Sequence, residues 1–167
     1  MSDSESAWGD RWPVRRASPE DVETVRAISA EAYAASYLPV FGYMPAPALE
    51  DYGARVAAGE VWFIEDGEPP HPVGVAVLER RPDHLLVYNL AVLPRRWGEG
   101  IGHRLLALAE TRARATGCTE LRLFTNTRMT RNLAIYRSAG YREVGRRPHP
   151  SRADIVLVDM SKLLDPA

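Results

Sequence analysis

Residues Leu90–Glu110 read LAVLPRRWGEGIGHRLLALAE, and the fold turns on how that stretch is read. It begins as an apolar strand, breaks at Pro94, and crosses a glycine-rich turn, Gly98-Glu99-Gly100-Ile101-Gly102, into an amphipathic helix. Leu105, Leu106, Leu108, Ala109 and Ala113 fall on one side of that helix; His103, Arg104, Glu110, Thr111 and Arg114 fall on the other. Glycines at a helix N-terminus leave backbone N–H groups bare and let a ligand come close, and the helix dipole adds positive potential there. Arg95, Arg96, His103 and Arg104 bracket the turn with further positive charge, so it suits phosphate. The same glycines would also serve a tight strand–helix turn that holds no ligand.

Spacing separates three glycine-loop chemistries. A Walker loop ends in Gly-Lys-Ser/Thr, whereas Gly102 is followed by His103. A dinucleotide fingerprint is G-x-G-x-x-G in the first strand–helix unit, whereas here the spacing is G-x-G-x-G, past mid-chain. The third pattern, hydrophobic strand, Pro, then (Gln/Arg)-x-x-Gly-x-Gly/Ala, fits: Leu90, Ala91, Val92 and Pro94 precede Gly98, Gly100, Ile101 and Gly102. In these residues the chain resembles the GCN5-related N-acetyltransferase (GNAT) family, whose equivalent turn binds the pyrophosphate of acetyl-CoA. The position that family usually gives to Gln or Arg is Trp97, with Arg96 just before it.

A second stretch, Asn132-Leu-Ala-Ile-Tyr136-Arg-Ser-Ala-Gly140-Tyr141, adds to the resemblance. Asn132 and Tyr136 are four apart and share a helix face, and Gly140 can end the helix in the left-handed conformation. On its own this reads as an amphipathic helix with a buried tyrosine and a glycine cap. After a glycine loop and a strand it is similar to the family's second signature, Tyr-x-x-x-Gly-Phe/Tyr. Many relatives also have an asparagine seven residues before the tyrosine. Here that position is Met129, with Asn126 and Asn132 as the nearby substitutes. The resemblance spans residues 12–161, with 72–145 carrying most of it.

The resemblance implies direct transfer, in which an amine attacks the thioester carbonyl of acetyl-CoA. Backbone N–H groups near Leu90, Ala91 and Val92, on a bulged central strand, would polarise the carbonyl. Arg96, Trp97, Gly98, Glu99, Gly100, Ile101, Gly102, His103, Arg104 and Asn132 would surround the cofactor. Tyr136 would protonate the leaving thiolate, a role that suits a phenol with a pKa of about 10. No base is evident. Relatives acting on protein N-termini carry a glutamate near the end of the fifth strand, where this chain has Phe124-Thr125-Asn126. Glu79, His84, Tyr88 and Asn89 are the nearby alternatives, each read more readily as structural or solvated than as catalytic.

Composition bounds the rest. The chain has 167 residues, 46% hydrophobic and 26% charged, with net charge -1, so it reads as one ordinary globular domain with no call for nucleic acid or an anionic membrane. The single cysteine, Cys118, excludes an intrachain disulfide, and no Cys/His spacing suits a metal. No apolar run reaches membrane-spanning length and the N-terminus is acidic and polar, so the expected compartment is the cytoplasm. Lys162 is the only lysine among 21 basic residues.

In chain order, residues 1–11 read as a loose tail and 12–162 as a single acetyltransferase-like domain. Trp12–Arg16 is expected as an edge strand, and Ser18-Pro19-Glu20-Asp21 as a helix start whose buried face is Val22, Val25, Ile28 and Ala32. Tyr33–Pro47, with Tyr37, Phe41, Tyr43 and Met44, is expected either to wall an acceptor pocket or to fill space between helices. Ala48–Ala58 reads as a second helix. Strands are expected at Val61–Glu65, Val73–Arg80, Leu85–Val92 and Leu121–Thr125, then a helix at Met129–Ser138. Tyr141–Gly145 and Ala153–Met160 should form a closing hairpin. The three strands from Val61 form an antiparallel meander, and the strand–helix–strand crossover then makes the next pair parallel. The expected fold is a mixed α/β sheet of six to seven strands with about four helices, splayed where the cofactor enters. Its function is expected to be acetyl-CoA-dependent N-acetylation of a small-molecule or peptide amine. Alternatives are a non-catalytic acyl-CoA-binding or regulatory domain, or transfer of another acyl group. Exposed edge strands are compatible with a homodimer.

Overall fold

The structure is a computed structural model that describes residues 11–166; ten of the eleven residues of the expected tail lie outside the described residues. Seven strands and six α-helices make up the described part. The strands are β1 (Val14–Arg16), β2 (Val61–Asp66), β3 (His71–Arg80), β4 (Leu85–Val92), β5 (Glu120–Asn126), β6 (Arg142–Pro148) and β7 (Val156–Leu163). The helices are α1 (Val22–Ser36), α2 (Leu38–Phe41), α3 (Ala46–Leu49), α4 (Gly53–Ala57), α5 (Ile101–Ala115) and α6 (Thr130–Ser138). The chain forms two compact units: residues up to Leu78 with Asn89–Leu108, and Glu79–Tyr88 with the residues from Ala109 onward. β4 contributes to both.

In the first unit the strand order is β1-β2-β3-β4. β1 and β2 pair antiparallel, as do β2 and β3, with a register shift between Ile64 and Glu65. β1 is shorter than Trp12–Arg16, because Trp12 is buried in the core ahead of the strand. Ser18 starts the helical segment as expected. The Asp21 carboxylate takes the Ser18 N–H at 2.8 Å and hydroxyl at 3.0 Å, and Pro19–Asp21 form a 3₁₀ turn leading into α1. Val25, Ile28, Ser29 and Ala32 are the buried face of α1; Val22 is only half-buried.

The expected helix over Ala48–Ala58 is two short ones, and a further short helix, α2, forms within the aromatic segment Tyr33–Pro47, so the helix count is six where about four were expected. The chain is extended at Glu50, and Tyr52 turns inward, fully buried, to donate to the Pro47 carbonyl. The Asp51 carboxylate then accepts the Gly53 N–H at 3.0 Å and starts α4.

Gly74 in β3 has a steric role that sequence reading missed. A Cβ there would meet Ile101 Cγ2 at 3.0 Å and Leu105 Cδ1 at 3.3 Å, so the missing side chain sets how closely α5 lies on β3.

The second unit has the order β4-β5-β7-β6. The β4–β5 ladder is parallel, as the crossover requires, and consists of Leu85↔Leu121 and Leu86↔Arg122. β7 lies between β5 and β6 and is antiparallel to both. Both strands of the closing hairpin lie later in the chain than expected, β6 starting at Arg142 and running to Pro148 and β7 spanning Val156–Leu163, so the loop moves to residues 149–155. The His149 N–H bonds the Ile155 carbonyl at 2.9 Å, and Pro148 can end β6 because that strand is at the edge. Tyr141 is buried just ahead of β6. Leu121, Leu123, Val158 and Met160 are buried with Ala109 and Ala113 of α5.

Candidate functional site

In the first unit, the glycine turn joins the end of β4 to α5. A 3₁₀ turn at Pro94–Arg96 redirects the chain, and Gly98 and Gly100 take φ of 82° and 96°, values that side chains rarely adopt. Gly102 has no such φ, and a Cβ at either Gly98 or Gly102 would face open space. The two kinds of glycine therefore differ: Gly98 and Gly100 are needed for the turn, whereas Gly102 leaves the start of the helix uncovered.

Ile101 is buried, so only its backbone can face a ligand, and the Arg104 N–H closes the first helical turn on the Gly100 carbonyl at 3.0 Å. His103 is exposed and Arg104 half-buried.

The side chains before the glycines are anchored. The Trp97 indole N–H donates to the Val92 carbonyl at 2.9 Å. Arg96 is held by Asp66 at 2.5 Å and by Glu99 at 2.6 Å, and Arg95 lies 3.7 Å from Glu31. These two acids keep the Arg96 guanidinium firmly charged, and Arg96 in turn holds both carboxyls below their ordinary range.

Along β4 the side chains alternate between faces. Asn89 and Ala91 are buried, while Leu90 and Val92 are half-buried on the other face. Asn89 is a junction: its Oδ1 accepts the Tyr33 hydroxyl at 2.9 Å, and its Nδ2 donates to Ser29 at 3.0 Å and Tyr52 at 3.1 Å. Every polar atom of that amide is engaged within the core, so Asn89 serves structure rather than proton transfer.

Tyr37, Phe41 and Tyr43 form an aromatic cluster. The Tyr37 ring lies 4.3 Å from Phe41 and 5.5 Å from Tyr43, and the Tyr37 and Tyr43 hydroxyls are 3.1 Å apart. Tyr37 is buried and works as packing, while Phe41, Tyr43 and Met44 remain half-buried.

The second unit carries Tyr136 and Asn132, one turn apart on α6 and both half-buried. Desolvation of the Tyr136 hydroxyl pushes its pKa up to about 12. The end of α6 is fixed by three features: Gly140 at φ 93°, the Tyr141 N–H on the Tyr136 carbonyl at 3.0 Å, and Lys162 Nζ on the Ala139 carbonyl at 2.7 Å. Lys162 also pairs with Glu110, so the chain's one lysine supplies the cation that a helix C-terminus favours. Composition alone gave no sign of that role.

Asn126, at the end of β5, is buried. Its Oδ1 takes the Arg128 N–H at 2.9 Å, while its Nδ2 has no hydrogen-bond partner among the described residues. The buried Tyr141 hydroxyl likewise has none. Two base candidates already have ionic neighbours: Glu79 pairs with Arg81 at 2.8 Å, and His84 with Asp83 at 2.7 Å. A cleft of about 520 Å³ in this unit is lined by Leu86, Arg122, Phe124, Arg147 and Asp159, among others; Tyr136 and Asn132 are not among them. Among the described residues no group of His, Cys, Asp and Glu could hold a metal ion, and no helix is long and apolar enough to cross a membrane.

Solved structures share the fold. The PaiA N-acetyltransferase from Thermoplasma acidophilum, solved with coenzyme A, matches with a TM-score of 0.73 at 17% identity, over 91% of this chain and 98% of its own. The ribosomal-protein-S18-alanine N-acetyltransferase from Escherichia coli matches at 0.72 and 17% identity, over 93% and 96%. The IAA acetyltransferase from Bacillus cereus matches at 0.64 and 20% identity, over 92% and 99%. The sequence model of the acetyltransferase (GNAT) family matches residues 23–141, which is most of the chain and includes both the glycine turn and α6. The chain belongs to the GNAT acetyltransferase family.

Proposed function

We propose that this protein transfers the acetyl group of acetyl-CoA to an amine of a small molecule or peptide by direct attack. The observation that carries the proposal is the turn at Gly98 and Gly100, held in the left-handed region ahead of a 15-residue helix. That geometry offers backbone N–H groups and a positive dipole end to the cofactor's pyrophosphate. Family membership and the coenzyme A bound in the Thermoplasma acidophilum relative support the same reading.

In the reaction the amine nitrogen attacks the thioester carbon, a C–N bond forms and the C–S bond breaks. Backbone N–H groups near Leu90–Val92 would polarise the carbonyl, and the amine proton leaves through water or a side chain. The departing thiolate takes the Tyr136 proton, which a phenol with a pKa pushed up to about 12 retains at neutral pH.

Two measurements test the reading: calorimetric titration with coenzyme A, and the turnover of Tyr136→Phe. Saturable binding with a fall in kcat in the variant supports it. Saturable binding without turnover towards any amine would make the chain an acyl-CoA-binding domain, and turnover with only a longer acyl-CoA would change the donor.

A further inference from the structure

We propose that Arg96 is a positioning residue, a clasp that sets the glycine turn for acyl-CoA and does not itself bind phosphate. The inference rests on the acyl-CoA reading of that turn and concerns how the turn is held. An arginine beside a phosphate loop would ordinarily be taken as a phosphate ligand. Here the Nε and Nη2 edge of its guanidinium is already committed. Nη2 donates to Asp66 Oδ2 at 2.5 Å and to Glu99 Oε1 at 3.1 Å, and Nε donates to Glu99 Oε2 at 2.6 Å. The side chain is 19% exposed. Asp66 ends β2, and Glu99 sits between the two left-handed glycines, so one guanidinium ties the turn to a strand.

The electrostatics make the arrangement informative. One arginine and two carboxylates leave the trio itself with one net negative charge beside a turn meant for an anion, with Arg11 near enough to act on both carboxylates. If side-chain charge governed affinity, the trio would be a poor choice. Conformation gives it a purpose. Gly98 and Gly100 have more freedom to lose than any other residue type, and ordering them on binding costs affinity. Trp97 bound to the Val92 carbonyl and Arg96 bound to Asp66 fix the entry to the turn, and the first helical bond from Arg104 to Gly100 fixes its exit. The backbone N–H groups are thus arranged before a ligand arrives.

The sign of one substitution decides between clasp and ligand. Asp66→Asn removes a negative charge, which by charge alone would tighten anion binding. The clasp requires the reverse: coenzyme A affinity, measured by calorimetry on the full chain, weakens by roughly threefold to tenfold. Glu99→Gln should also weaken it, and Asp66→Glu, which keeps the carboxylate, should recover most of the loss. With acetyl-CoA saturating, kcat of Asp66→Asn should stay close to that of the unaltered protein while its acetyl-CoA KM rises. Amide hydrogen exchange across residues 98–102 should be faster in Asp66→Asn without ligand, with the melting temperature held.

Tighter or unchanged binding in Asp66→Asn would overturn the proposal, because Arg96 would then be free to meet phosphate directly. Should Asp66→Asn fail to fold, Glu99→Gln gives the same sign test from an exposed position. Failure of the unaltered protein to bind coenzyme A would overturn the reading of the turn, and the clasp with it. Binding by the unaltered protein with no weakening in either variant would overturn the clasp alone.

Discussion

Tyr33 on α1 donates its hydroxyl to Asn89 Oδ1 on β4 at 2.9 Å, and the other end of the same amide holds Ser29 and Tyr52. The central strand is therefore joined to the helix and to the turn before α4 by polar bonds within the core, just ahead of Leu90–Val92. Replacing Asn89 by Leu removes two buried hydrogen bonds and one part-buried one at once. The expected cost is about 2–4 kcal/mol in urea unfolding, against about 1 kcal/mol for Tyr33→Phe. Equal small losses in both would show that the network carries little energy.

The glycines of the turn should separate stability from binding. Gly100→Ala forces a side chain into a φ of 96°, so about 1 kcal/mol of stability should be lost even without ligand. Gly102→Asp meets open space and an ordinary backbone, so the melting temperature should hold while coenzyme A binding disappears. Unaltered coenzyme A affinity in folded Gly102→Asp would remove the start of α5 from the cofactor site.

Acceptor choice should respond to Tyr43 more than to Tyr37. Tyr37 is buried among Phe41 and Tyr43, so Tyr37→Ala should chiefly destabilise. Tyr43 is half-buried, and Tyr43→Ala should raise the acceptor KM and leave the acetyl-CoA KM alone. An unchanged acceptor profile would make the whole segment packing.

Tyr136 should show in two independent ways. Its raised pKa means that the folded state keeps the phenolic proton between about pH 10 and 12 while the unfolded chain loses it. Its contribution to stability is therefore intact below pH 10 and fades as pH rises through that window, and Tyr136→Phe should remove that part of the alkaline slope. In turnover, Tyr136→Phe should lower kcat at least about tenfold with coenzyme A affinity retained. A slope removed with kcat intact would leave Tyr136 structural and water as the proton source.

How much of this was legible in the sequence follows the range of the forces involved. The glycine turn, the buried face of α5 and the strand β4 were readable because they arise from local periodicity and backbone freedom. The broken helix after Pro45 was not, because Tyr52 turns inward to reach Asn89, a partner 37 positions away. The place of β7 between β5 and β6 escaped for a related reason: alternation identifies a strand but not its neighbours. Around the turn, the glycines announced themselves, but the engagement of Arg96 with Asp66 depends on the meeting of segments 30 positions apart. Lys162 looked like a compositional accident until it lay against the end of α6. The acceptor site was the least legible, since its candidate aromatics proved partly core and its base left no motif.

The most direct test of the account is thiol release from acetyl-CoA by the full chain, assayed against a panel of amines, peptides and aminoglycosides, with the acylated product identified by mass spectrometry. The account predicts saturable release that depends on a particular amine and yields its N-acetyl product in equal amount. Saturable acetyl-CoA binding with no release above the amine-free rate, for any member of the panel, would contradict it.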